Sequence, residues 1–93
     1  MIKSELIEVL ASRANITLTA ADKIINEIFG GMAATLAAGD KIEIRGFGSF
    51  VVKDYSGYTG RNPKTGHDVT VKPKKMPFFK VGKDLKERVM GNR

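Results

Sequence analysis

The sequence predicts an α+β fold: a helical base followed by an antiparallel sheet that carries a long two-stranded β-ribbon arm. Three observations predict it. Apolar residues recur at helical spacing up to about residue 38, they alternate from residue 40, and residues 53–75 still alternate while holding almost nothing to bury. Residues 1–93 are expected to form a single domain, with a helical base over 1–39, a sheet over 40–81 that includes the arm at 53–75, and a C-terminal helix over 82–93.

The first helix is expected over residues 3–13, where Ile2, Leu6, Val9 and Leu10 fall on one stripe and Ser4 lies near the start. "NIT" interrupts it. Thr19 is the expected N-cap of the second helix, with Asp22 three residues on as a shortened capping box. That helix runs from about 20 to 38 and stops at Gly39, a residue suited to a left-handed C-terminal position. Ala21, Ile25, Ile28, Met32 and Leu36 make one stripe, which Ile24, Phe29 and Ala33 widen. So broad an apolar surface needs more than one neighbour to cover it. Gly30 and Gly31 sit mid-helix at a cost of about 1 kcal/mol each relative to alanine, either offset by a close approach or kink or tolerated as a weak spot.

The period changes in "DKIEIRGFGSFVVKDY". Ile42 and Ile44 alternate with Lys41, Glu43 and Arg45 as in a half-buried strand, "RGFGSF" turns the chain, and Phe50 and Val52 begin a second strand. The "GFG" joins strand to strand and lacks a third glycine, which excludes a dinucleotide fingerprint, and "GRNPKTG" lacks the spacing of a phosphate loop. Within residues 53–75 the large apolar residues are Tyr55, Tyr58, Val69 and Val71, whereas Lys53, Arg61, Lys64, Lys72, Lys74 and Lys75 face only Asp54 and Asp68. Such a segment cannot fold onto a core. Its alternation and its Asn-Pro turn signal predict a ribbon that reverses near Asn62–Thr65, with strands of about eight residues reaching roughly 25 Å. "MPFFKVG" returns to the body, and "GKDLKERVMG" closes the chain as a short helix with Leu85 and Val89 on one side.

Charge narrows the function. The net charge is +6, and it is segregated: residues 1–40 hold three Lys/Arg against five Asp/Glu, residues 41–93 thirteen against five. One face is therefore expected to meet a polyanion. With no cysteine, disulfides and thiolate metal sites are excluded, and the single histidine, His67, cannot build a metal site alone. No metal or cofactor is expected, nor a small-molecule substrate. An enzyme is disfavoured, since nucleophile–base pairs have almost nothing to use. Lys3, Glu5, Glu8 and Arg13 break up any signal-peptide core and no run reaches transmembrane length, so no membrane association is expected and the chain is expected to stay in the reducing compartment of its synthesis.

The tip sequence "GRNPKTG" sets Pro63 between Arg61 and Lys64. An exposed cationic ribbon fits a groove of double-stranded DNA, and an apolar wedge in the minor groove can enter between base pairs and unstack them. Proline suits that task, because its ring is already rigid and it has no amide hydrogen to strand. "KSELIE", "GDKIEIRGFGSF", "TGRNPKTG" and "MPFFKVGKDLKERV" together resemble the bacterial HU and integration host factor family of DNA-bending proteins, over essentially the whole chain. "EIRGFGSF" is closer to the beta subunit of integration host factor than to HU.

The resemblance implies an intertwined dimer, of identical chains or with a homologous partner, whose two arms wrap DNA and insert Pro63 at each tip. It implies a cytoplasmic, nucleoid-associated protein that compacts DNA and assists recombination, replication or transcription. It places Phe47, Phe50 and Phe79 in a core shared between subunits. Ile28, Phe29, Met32, Leu36 and Ile44 join them as expected interface residues. Arg61, Asn62 and Lys64 match minor-groove contacts, and Arg45 matches a contact to a preferred sequence, oriented by Glu43; a plain Glu43–Arg45 surface ion pair is the alternative. Lys3, Lys53, Lys72, Lys74, Lys75, Lys80, Lys83 and Lys86 are expected phosphate contacts. Two other readings compete: an RNA-binding or ribosome-associated basic protein, which should stack bases on more rings than Tyr55 and Tyr58 provide, and a purely structural dimerisation module, which leaves the charge segregation unexplained.

Overall fold

The computed structural model describes residues 1–91. Its elements run α1 (Lys3–Ala14), α2 (Leu18–Ala37), β1 (Ile42–Ile44), β2 (Gly48–Tyr55), β3 (Tyr58–Arg61), β4 (Asp68–Val71), β5 (Lys74–Val81) and α3 (Lys83–Met90). The α+β class is as expected, and the backbone divides into two compact units near the end of α2, Met1–Thr35 and the chain from Leu36 onward.

In the first unit, Glu5 reaches back to accept a hydrogen bond from the Ile2 amide at 3.3 Å, satisfying one of the free donors at the start of α1. Asn15 ends α1 in the left-handed region, φ 54°. The start of α2 differs from expectation. Thr17, not Thr19, accepts the Ala20 amide through its hydroxyl at 3.1 Å. "TLT" offers two threonines, and the earlier one has its hydroxyl outside the first turn, where an N-cap must stand; Thr19 is already inside. Ala11, Ala21 and Ile25 are the buried apolar side chains of this unit, while Ile24, Ile28 and Phe29 are exposed. Gly39 stops the chain after α2 with φ +87°, as expected.

In the second unit β1, β2 and β5 form one antiparallel sheet in the order β1-β2-β5, and β3 pairs with β4. Antiparallel partners share a face, so the register sorts the side chains. Ile42, Phe50 and Phe79 fall in one row, beside Val52 opposite Pro77. On the reverse face Ser49 stands opposite Lys80, Val51 opposite Phe78, Lys53 opposite Met76 and Tyr55 opposite Lys74. The first face carries the aromatic cluster, with ring centroids 4.8 Å apart for Phe50–Phe79 and 5.6 Å for Phe47–Phe79. Gly48 begins β2 where a side chain has no room: an added Cβ would run into the Lys80 carbonyl oxygen and lie 2.6 Å from the Phe79 ring. The Gly82 amide donates to the Phe47 carbonyl at 2.8 Å, tying the start of α3 to the β1–β2 turn. The expected last helix ends at Met90, with Gly91 left-handed after it; residues 92 and 93 lie outside the described residues.

Candidate nucleic-acid interface

The arm is one hairpin built in two pieces. The outer turns of β2 and β5 pair up to Tyr55–Lys74, and pairing resumes at Tyr58–Val71. Three positions separate these pairs on each strand, so the pairing register is unchanged across the gap. The uninterrupted eight-residue strands expected from the sequence are thus replaced by four-residue strands β3 and β4 beyond a break. The physical reason lies in two residues. Pro73 has no amide hydrogen to give to the ladder. Gly57, across from Lys72 in the same register, accepts close backbone: an added Cβ would lie 2.7 Å from the Val71 carbonyl and 2.8 Å from the Pro73 ring.

At the far end the loop is closed by its own backbone. The Asn62 amide donates to the His67 carbonyl at 2.8 Å and the Gly66 amide to the Asn62 carbonyl at 2.7 Å. The Asn62 side chain accepts the Lys64 amide at 2.9 Å, and the Thr65 hydroxyl accepts the His67 amide at 3.3 Å. Gly66 takes φ +73°, a left-handed value that glycine adopts with no Cβ to clash. These bonds occupy polar groups of the turn with one another and leave Pro63 exposed between Arg61 and Lys64. Asn62 is therefore at once a candidate contact and the brace of the turn.

The predicted cations fall into groups. Arg61 ends β3 opposite Asp68, and Asn62, Pro63 and Lys64 follow it at the tip. Lys53, Lys74 and Lys80 share one face of the sheet, whereas Lys75 stands on the other, opposite Asp54. Lys53 lies 3.6 Å over the Phe78 ring and Lys74 5.8 Å from the Tyr55 ring, so part of this face is a mixed cationic and aromatic surface. Lys72 sits in the break, Lys83 and Lys86 are exposed on α3, and Lys3 belongs to the helical unit. Arg45 is exposed in the β1–β2 turn, just past the strand. Glu43 does not pair with it: its carboxylate meets Lys41 at 3.1 Å, with both side chains about two-thirds exposed at 66% and 68%.

Residues 1–90 match the family described as "Bacterial DNA-binding protein". Over 90 residues the chain is 51% identical to integration host factor subunit beta of Shewanella sp. (strain W3-18-1), covering 96% of this chain and 95% of that one. The chain belongs to the bacterial HU and integration host factor family. An Anabaena HU–DNA cocrystal structure matches this member of the family with a TM-score of 0.84 at 32% identity, covering 96% of this chain and 97% of that one. HU from Thermotoga maritima matches with a TM-score of 0.66 at 31% identity over 96% and 98% of the two chains. This is a family of DNA-binding architectural proteins.

Sequence reasoning missed the break in the arm. Its signal is present in "KPKK", because a proline inside an alternating run marks an edge or an interruption. Among the described residues there is no cluster of three or more potential metal ligands, and no helix is long and apolar enough to cross a membrane.

Proposed function

We propose that this chain bends double-stranded DNA by laying its arm in the minor groove and driving Pro63 between two base pairs. The observation that carries the reading is the tip: a rigid apolar ring, exposed, flanked by Arg61 and Lys64, on a turn whose own hydrogen bonds fix its shape. A narrow groove concentrates negative potential, which draws the two cations, and the ring recovers by stacking part of what unstacking costs. Lys72, Lys74, Lys75, Lys53, Lys80, Lys83, Lys86 and Lys3 hold phosphates along the flanks. Arg45 reads a preferred sequence from its turn.

The working unit is a dimer, of identical chains or with a homologous subunit. Support comes from the exposure of Ile28, Phe29, Ile44, Phe47 and Phe79, a set that a second chain would cover. The protein acts in the nucleoid, in the cytoplasm, compacting DNA and assisting recombination, replication or transcription.

The test is Pro63→Ala on a short duplex labelled at both ends for energy transfer. Affinity stays within about threefold, because the phosphate contacts dominate binding, and the end-to-end approach seen with the natural protein is lost. A bend that survives the substitution removes the wedge from the mechanism.

A further inference from the structure

The chain has a single histidine, and the fold sets it at the tip of the arm, just before β4. The Asn62 amide donates to the His67 carbonyl at 2.8 Å, so these two residues are the last pair before the loop. Antiparallel partners share a face, which puts His67 beside Asn62, with Pro63 and Lys64 in the loop between them. The bonds that hold His67 run through its backbone: its carbonyl accepts from Asn62, and its amide donates to the Thr65 hydroxyl at 3.3 Å. The residue is exposed. The charged groups around it are Arg61 at the end of β3, Lys64 in the loop and Asp68 at the start of β4. Asp68 makes no ion pair with the ring.

We propose that His67 is a protonation-dependent DNA contact, its imidazolium donating to a phosphate at the edge of the groove that the arm occupies. Histidine is the side-chain type whose ordinary change of charge falls between about pH 5 and pH 8. Protonation gives the ring a second N–H donor and a positive charge, and a phosphate rewards both. The neutral ring keeps one donor and no charge. Binding therefore takes up a proton from the solvent, and no other covalent bond in protein or DNA changes. The sign follows: phosphates stabilise the protonated form, so affinity grows as pH falls and declines as pH rises. In the free tip Arg61 and Lys64 oppose a further positive charge and Asp68 favours it. The phosphates of a narrow groove add to the Asp68 side of that balance. The contact rests on the reading that places the tip in the groove.

The experiment titrates the full chain onto an intact duplex at fixed ionic strength, from about pH 8 to about pH 6, and reads binding by fluorescence anisotropy. Affinity rises about tenfold over that range, the order that one hydrogen bond to a charged group supplies. Calorimetry in two buffers of different ionisation heat shows net proton uptake at about pH 7. His67→Gln, which leaves the backbone bonds of the turn in place, takes up no proton and holds one affinity across the range. His67→Lys, whose charge is permanent, also loses the pH dependence but binds tightly throughout. Thermal midpoints check that both variants fold. An affinity indifferent to pH in the natural protein overturns the proposal and needs no variant at all. So does a pH dependence that survives His67→Gln, which would assign the proton to the α-amino group. Failure of the underlying groove reading looks different: Arg61→Ala and Lys64→Ala would then leave binding unchanged at every pH.

Discussion

Lys53 and Arg61 carry the same charge on the same ribbon, but their surroundings differ. The Lys53 ammonium rests 3.6 Å over the Phe78 ring and already has a partner for part of its charge. Arg61 stands at the end of β3 beside the exposed tip, and Asp68 opposite makes no ion pair with it. Arg61→Ala should therefore weaken duplex binding by about 1–3 kcal/mol, and Lys53→Ala by less, in a titration at fixed salt. The opposite ranking would put the duplex on the sheet face and take the tip out of the groove. Gly48 gives a second residue-scale outcome. Any side chain there meets the Lys80 backbone, which cannot swing aside, and the Phe79 ring. Gly48→Ala should cost about 1–3 kcal/mol of stability, seen as a lowered thermal midpoint. An unchanged midpoint would mean that β2 and β5 separate at their inner end without loss. At this scale the sequence was a partial guide. The identities and adjacency of Arg61, Asn62, Pro63 and Lys64 could be read directly, because turn chemistry is local. The engagement of Glu43 with Lys41 could not, since alternation puts Arg45 within equal reach and only the end of the strand after Ile44 decides.

Among the elements, α2 and the arm show what periodicity can and cannot see. The span of α2 was legible because its apolar stripe and its Gly39 stop are both local signals, and the shift of its cap to Thr17 moves the boundary by only one turn or less. Gly30 and Gly31 are a sharper question. An added Cβ at either meets nothing within 4 Å, so no close approach within the chain explains them. Gly30 lies far around the helix from Ile25, Met32 and Leu36, on the side away from the apolar stripe. Gly30→Ala should therefore stabilise the protein by about 1 kcal/mol, through helix propensity and a less flexible unfolded chain, and raise the thermal midpoint by several degrees. A lowered midpoint would place a neighbouring chain against that side of α2. The arm was legible as a ribbon and not as a broken one. Alternation carries the pairing register, which the break preserves, and it is blind to the missing amide of Pro73 and the backbone crowding at Gly57.

For the molecule as a whole, the question is what covers its apolar surface. Among the described residues no large side chain is fully buried, and the buried apolar set is Ala11, Ala21 and Ile25. A chain of this length can bury only a modest share of its unfolded surface even when closed on itself. Here the stripe of α2 and the Phe47–Phe50–Phe79 cluster are both left partly open, with Phe29 at 49% and Phe47 at 45% exposure. Charge cannot explain this, because segregating acid from base needs no exposed aromatic rings. A second chain can, since it would add the apolar burial a single copy lacks. Folding and association should then be one event. The thermal midpoint should rise as protein concentration is raised from the low to the high micromolar range, and equilibrium sedimentation should give twice the chain mass across the folded range. Phe50→Ala should lower the midpoint and also weaken association, because the ring stacks on Phe79 at 4.8 Å and any partner side chain would pack against that pair. A midpoint indifferent to concentration, with a stable single chain in the centrifuge, would require the rings to be covered by something other than a second protomer.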